Sequence, residues 1–379
     1  MAYLDEFPAN RFKYVRYCGV YEHPSVWSRL RLWCTVILLF IFVPLQLTYL
    51  IENPVSDLMV TCEEIMLMQV CMIVVLKLNL FVSHHDEMYE LVRAFQNTQN
   101  RVRPHEFRRF VKCNQIHAKL ARLYVIGTTI VAILYVLNAV VSSLTLSLQH
   151  DKLHFVTPMN FPYDYQHPVV FAISFCYNIE TMVTTMFVSV TIDTCYSEMA
   201  NNLAIHFDIV RQRYAQLDLS AGWPFADREL MEVILYHSEV LDLAQKMVRL
   251  FQQPVFYLLL LISTILCVLG YEFVMFSNIY KVIQVVVMAG VMVGQAIIYT
   301  YNGSVICDRS LNVSEAIYGT NWYDARTSVR KQIYICLMRA QKPIVMKGGF
   351  IEASLPTLKK ILSSSGSYIT MLMSLESDN

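Results

Sequence analysis

Runs of about twenty consecutive apolar residues recur along this chain, the length a helix needs to cross a hydrocarbon core of about 30 Å. A water-soluble chain of 379 residues would show short amphipathic segments in their place. No water reaches the centre of a bilayer, so each backbone amide there must be satisfied within its own segment, and such runs fold as helices. Composition agrees: 55% of the residues are hydrophobic and 16% charged, against roughly 25% charged in an ordinary soluble domain. The formal net charge is zero, so bulk charge points to no polyanionic partner and no nucleic acid is expected to bind.

Seven spans are legible, at about 31–51, 59–82, 121–146, 168–192, 254–276, 281–302 and 355–375. The expected fold class is an all-α membrane protein with seven transmembrane helices. Span two carries Glu63, Glu64 and Lys77, and span four carries Glu180. Ionisable groups within a membrane are costly and mark functional positions. Glu63, Glu64 and Lys77 lie near span ends, where snorkelling to the headgroups is the expectation. Met1–Trp27 has no apolar core and no small-residue cleavage site, so span one is expected to act as the insertion signal.

Basic residues are retained on the cytoplasmic side, and here they alternate by segment. Five precede span one: Arg11, Lys13, Arg16, Arg29 and Arg31. Segment 83–120 holds seven, the loop between spans four and five holds five, and 303–354 holds seven. Segment 52–58 holds none and 147–167 only Lys152. The expectation is a cytoplasmic N-terminus and an extracellular C-terminus, opposite to a G-protein-coupled receptor. None of the ten cysteines falls in a loop placed outside, so no extracellular disulfide is expected. The sequons at Asn302 and Asn312 fall in a segment placed inside, where they would go unused.

The outer segment 147–167 is rich in Pro and aromatics and is expected to form a lid. Helical periodicity in 193–253 predicts cytoplasmic extensions of spans four and five, with Gly222-Trp223-Pro224 at the turn between them. Residues 326–341 read as an amphipathic helix, broken afterwards by Pro343 and Gly348-Gly349. The chain divides into 1–302 (spans one to six), 303–354 (a cytoplasmic segment) and 355–379 (span seven and tail). No phosphate-binding glycine loop, zinc-ligand spacing or nucleophile elbow is present, so neither enzyme activity nor a cofactor is expected. A secondary transporter would show paired Gly/Pro-interrupted spans in two related halves, and no internal repeat is visible.

Residues 284–375 resemble the insect odorant-receptor family. The resemblance is carried by Gln295, Asn302-Gly303, Asp308-Arg309-Ser310, Glu315-Ala316-Ile317-Tyr318 and Trp322-Tyr323. It continues through Lys331-Gln332, the stretch from Met338 to Pro343, Gly348-Gly349-Phe350, Ser354-Leu355 and the block from Ser367 to Leu372. The first two thirds match mainly in span number and loop character. The resemblance implies a subunit of a tetrameric, non-selective cation channel gated by a small volatile odorant, in the plasma membrane of sensory neurons. The family's co-receptor has an extended second cytoplasmic loop, whereas 193–253 is compact here. The expectation is therefore a ligand-tuned subunit that assembles with that co-receptor. A gustatory-type homomeric channel is the alternative, although its Thr-Tyr…Gln-Phe ending is absent.

By the same resemblance, span seven lines the pore, with an apolar gate at Met371 and Leu375 and Ser374 as their polar neighbour. The odorant site would lie in the outer half, among spans two, three, four and six. Its candidates are Met68 and Met72, then Thr129, Ile133 and Val136, then Phe175, Tyr177 and Ile179, and on span six Val287, Met288, Val291, Met292 and Gln295. Residues 326–341 are the family's anchor helix between subunits, with Trp322 and Tyr323 as the large candidates at that contact.

Overall fold

A computed structural model describes residues 26–52, 58–149, 155–219 except 158 and 166, 225–275 and 278–377. The helices are α1 (Val26–Glu52), α2 (Leu58–Ser83), α3 (His85–Gln99), α4 (Pro104–Gln149), α5 (Pro168–Ala215), α6 (Phe225–Met275), α7 (Ile279–Tyr318), α8 (Thr327–Ala340) and α9 (Leu355–Ser377). A 3-10 turn (Trp322–Asp324) precedes α8. Lys347–Gly348 (β1) pairs antiparallel with Ile351–Glu352 (β2). Each of the seven apolar runs lies in one long helix as far as it is described, and among the described residues five helices carry a stretch long and apolar enough to cross a membrane.

The helices outrun the apolar stretches. Helices α5 and α6 continue well past the apolar limits at 192 and 254, as their periodicity predicts, and α6 runs through Pro254 without ending. Helix α7 continues past 302 as one piece to Tyr318. The turn at Gly222-Trp223-Pro224 lies outside the described residues. The buried core is densest in these extensions, where Leu203, Phe207, Tyr214, Tyr236, Val240 and Met247 are almost wholly enclosed. Helix α7 is the central element, packed on α4, α5, α6, α8 and α9.

The extensions bury polar groups only as a matched set. Arg213 donates to both oxygens of Glu106, at 2.9 and 2.8 Å, and to the Arg101 carbonyl at 2.9 Å. Its guanidinium lies 4.1 Å from the Tyr236 ring. Glu106 also accepts from the Arg103 amide at 2.8 Å, closing the first turn of α4 behind Pro104. Burial alone would raise the Glu106 carboxyl, but the hydrogen bonds from Arg213 and Arg103 outweigh it and hold it below its usual range.

His206 and His237 sit beside this network and are 1% and 4% exposed. His206 Nδ1 lies 2.7 Å from the Tyr236 hydroxyl. Burial, then the Arg213 charge, depresses His206 to about 3; burial, then Arg339, depresses His237 to about 4. Both are neutral in the folded chain and take up protons near 6.5 once unfolded. The folded state therefore binds fewer protons below pH 6.5, and stability falls as the solution is acidified from there towards pH 4. Each histidine contributes about 1.4 kcal/mol per pH unit across that window. The thermal midpoint of detergent-solubilised protein is expected to drop between pH 6.5 and 5, and the slope should lessen in His206→Gln. An unchanged slope in that variant would show that His206 is not buried neutral.

Candidate functional site: apolar cavities above a buried ion pair

Two small cavities lie inside the helix bundle. One, of about 30 Å³, is lined by Phe42 (α1), Leu67, Val70 and Cys71 (α2), Tyr135 (α4), Thr157, Met182, Thr185 and Met186 (α5) and Met288 (α7). The other, of about 20 Å³, shares Val70, Thr185 and Met186 with it and reaches Tyr124, Thr128, Ser189, Val291, Met292 and Gln295. Each has room for one or two waters. Four methionines touch them, and the thioether chain repacks at low cost. The described part of segment 155–167 folds against this end of the bundle. Asn178 holds Thr157 through three hydrogen bonds of 2.9–3.2 Å, and Phe155, Phe161 and Tyr165 pack ring against ring at 5.2–6.1 Å.

The floor of the second cavity is polar. Asp193, fully buried one residue beyond the apolar limit of span four, lies 2.5 Å from Lys77 Nζ. It accepts from the Tyr299 hydroxyl at 2.7 Å, the Tyr124 hydroxyl at 2.8 Å, Gln295 Nε2 at 2.6 Å and Ser189 Oγ at 3.3 Å. Lys77 Nζ also reaches Ser189 Oγ at 3.1 Å. A charge pair removed from water is tolerable only with such additional donors and acceptors. Lys77 therefore does not snorkel. It is 1% exposed, because span two passes beside Asp193 and a buried cation is lower in energy against a carboxylate than stretched past a protein interior. Glu63 meets Lys281 at 3.4 Å, half-buried, and Glu180 is exposed and accepts from Thr184 of its own helix at 2.9 Å.

The thirteen pocket candidates separate into three groups. Met288, Val291, Met292 and Gln295 line the enclosed cavities. Thr129, Ile133, Val136 and Ile179 line an outward-facing apolar groove of about 480 Å³ between α4 and α5; Thr128, Met186 and Val190 separate that groove from the second cavity. Met68, Met72, Phe175, Tyr177 and Val287 line neither cavity. On α2 the face turned inward is Leu67, Val70, Cys71 and Val74, so Met68 and Met72 sit one residue round the helix, with Met72 exposed. Phe175 stacks on Phe171 at 5.6 Å, and the Tyr177 hydroxyl donates to the Leu38 carbonyl at 3.1 Å.

Helix α9 packs on α6 and α7 through Leu358, Ile361, Ser365 and Ile369, where Gly270 admits the Ile369 side chain. Its opposite face presents Ser363, Ser367 and Thr370. Met371 stands beside that stripe, exposed; the side chains of Ser374 and Leu375 lie outside the described residues. Tyr323 is exposed and Trp322 half-buried. Helix α8 exposes Tyr334, Ile335 and Met338.

Residues 58–366 match the family described as 7tm odorant receptor. The chain belongs to the insect odorant-receptor family. Odorant receptor 9a of Drosophila melanogaster is 26% identical over 310 residues, covering 80% of this chain and 78% of that one. Odorant receptor 82a of the same fly is 23% identical over 318 residues, covering 80% and 82%. The fold matches the insect olfactory receptor OR5 from Machilis hrabei, solved in complex with eugenol, with a TM-score of 0.84 at 13% identity over 99% of both chains. This odorant receptor is thus a multi-pass membrane protein and a non-enzymatic, odorant-gated channel subunit. Of the residues around this hub, Gln295 belongs to the family-like motifs, whereas Asp193, Tyr124, Ser189 and Tyr299 carried none, and their signal was a lone acid at the very edge of an apolar run.

Proposed function

We propose that this chain is the ligand-tuning subunit of a heteromeric, non-selective cation channel that assembles with the family's co-receptor in the plasma membrane of sensory neurons. The observation that carries the reading is the pair of adjoining apolar cavities walled by methionines and closed below by the Asp193 hub. The short length of the second cytoplasmic segment, 193–253, favours the tuning role over that of the co-receptor. Seven membrane crossings with the N-terminus inside are part of this reading, supported by the long helices and by the alternation of basic residues along the sequence. The exposed Tyr323, Tyr334, Ile335 and Met338, with half-buried Trp322, then form the contact to neighbouring subunits on the cytoplasmic side.

The ligand is a small, largely apolar volatile, as eugenol is for the Machilis hrabei receptor. It enters by displacing Met186, Met288 and Met292, because cavities sized for one or two waters must widen to hold it. Binding opens the pore only to the extent that the ligand prefers the open state. A hundredfold shift in population needs about 2.7 kcal/mol, which roughly 100 Å² of additional apolar burial supplies at ~25 cal/mol per Å². The movement reaches span seven through α7 and α6, and parts an apolar constriction at Met371 and Leu375, with Ser374 beside them, that had blocked ions by dewetting.

Met288→Ala is expected to weaken agonist potency roughly fifteen- to sixtyfold, from the loss of two to three methylene-sized groups at ~0.8 kcal/mol each. Met72→Ala, on the outer face of α2, should leave potency unchanged. Whole-cell current from cells carrying this chain with the co-receptor, under a panel of odorants, is the measurement. Odorant-evoked current without the co-receptor would favour a homomeric channel and overturn the tuning-subunit reading.

A further inference from the structure

The face of α9 turned away from the rest of the chain begins with two lysines. Leu358, Ile361, Ser365 and Ile369 point one way, into α6 and α7. At 3.6 residues per turn, Ser363, Ser367 and Thr370 project in the opposite direction, and Lys359 and Lys360 lie within about 50° of it on either side. All five are exposed. Among the described residues neither lysine forms an ion pair, and the nearby Glu352 pairs with Lys347 at 3.7 Å. A stripe of hydroxyls on the most open face of a membrane helix suits a water-filled path, and lysines at the end of that stripe stand in the same water.

We propose that Lys359 and Lys360 place a ring of positive charge at the cytoplasmic mouth of the pore and limit outward cation flow. The inference rests on the reading of α9 as the pore-lining span with its first turn inside the cell. Cations leaving the cell are drawn from the inner mouth, where fixed positive charge depletes them; cations entering meet the ring only on exit. The heteromer therefore passes inward current more readily than outward current. One lysine about 10 Å from the axis changes the local cation concentration less than twofold. Two lysines in each copy multiply that factor, and a Debye length of about 8 Å at physiological salt trims it.

The test is the single-channel current–voltage relation of the full-length chain with the co-receptor, under a saturating odorant, in symmetrical solutions of low, physiological and high ionic strength. Lys359→Gln with Lys360→Gln is expected to raise outward unitary conductance roughly twofold at physiological salt, more at low salt and hardly at all at about 1 M salt. Lys359→Arg with Lys360→Arg should keep the wild-type relation. Wild-type rectification that fades as salt rises supports the ring without any variant, should the Gln pair fail to reach the surface. A linear wild-type relation at low salt, or identical relations for wild type and the Gln pair, would overturn the proposal and leave the lysines at the lipid headgroups. In those outcomes odorant-evoked current persists. Absence of odorant-evoked current from wild type with the co-receptor would instead overturn the tuning-subunit reading, and this inference with it.

Discussion

Asp193→Asn is expected to abolish odorant-evoked current, whereas Lys77→Met should leave a measurable fraction of it. The asymmetry comes from the number of partners each group keeps. Without Lys77, the Asp193 carboxylate still accepts from Tyr124, Tyr299, Gln295 and Ser189, all within 3.3 Å. In Asp193→Asn the negative charge is gone, so Lys77 keeps only neutral neighbours, Ser189 Oγ at 3.1 Å and the Tyr299 ring at 5.8 Å, and one of the two oxygens that Tyr124, Tyr299 and Gln295 share becomes an N–H donor facing other donors. Leaving one member of a buried pair uncompensated costs about 3–5 kcal/mol, a large part of the total stability of a folded chain. Four helices meet at this carboxylate (α2, α4, α5 and α7), so the loss reaches the floor of the cavity and the helix that carries Met288. The double variant Asp193→Asn with Lys77→Met should recover part of the response, because no charge is then left unpaired. Surface labelling together with odorant-evoked current measures both effects. Wild-type current from Asp193→Asn would mean that the hub contributes neither to folding nor to gating.

The second large effect is expected at Gly303. A Cβ built there would lie 2.1 Å from the Ala353 carbonyl oxygen and 3.1 Å from the Ala353 Cβ, so backbone would have to move before even alanine fits. Helix α7 and the strand-to-helix link before α9 meet at this point, and the Leu355 amide donates to Ser304 Oγ at 2.9 Å one residue away. Gly303→Ala should cost roughly 3 kcal/mol by overpacking, a loss of about a hundredfold in the folded-to-unfolded ratio and enough to lower the assembled receptor at the cell surface several-fold. Gly290→Ala on the same helix has nothing within 4 Å of its Cβ and should stabilise α7 by up to about 1 kcal/mol through helix propensity. Surface-biotinylated receptor compared between the two variants is the measurement; equal levels would contradict the close approach of α7 to Ala353.

Several glycines and polar residues of the family-like C-terminal third acquire a packing reason in this way. Gly349 adopts φ +54° at the turn between β1 and β2, a conformation that side-chain-bearing residues rarely take. Gly348 beside it lies against the Gln252 carbonyl, 2.2 Å from where a Cβ would sit. Ser310 accepts from the Ile344 amide at 2.9 Å, tying α7 to the segment after α8. Spacing in the sequence located these residues without saying what they touched.

The sequence by itself determined the class of protein, the apolar stretch of every long helix and the family. Those features depend on local physics: a run of apolar side chains long enough for the hydrocarbon core, a periodicity of 3.6 beyond it, and a motif order along one stretch of chain. Only the tertiary structure decided which face of each helix looks inward. Because the helix turns 100° per residue, a one-residue difference moves the cavity wall on α2 from Met68 and Met72 to Leu67, Val70 and Cys71, and it turns Thr129 and Ile133 of α4 towards the outer groove. The partners of buried charge were equally out of reach. Lys77 and Asp193 stand 116 residues apart, and an ion pair between distant helices leaves no periodicity in either one.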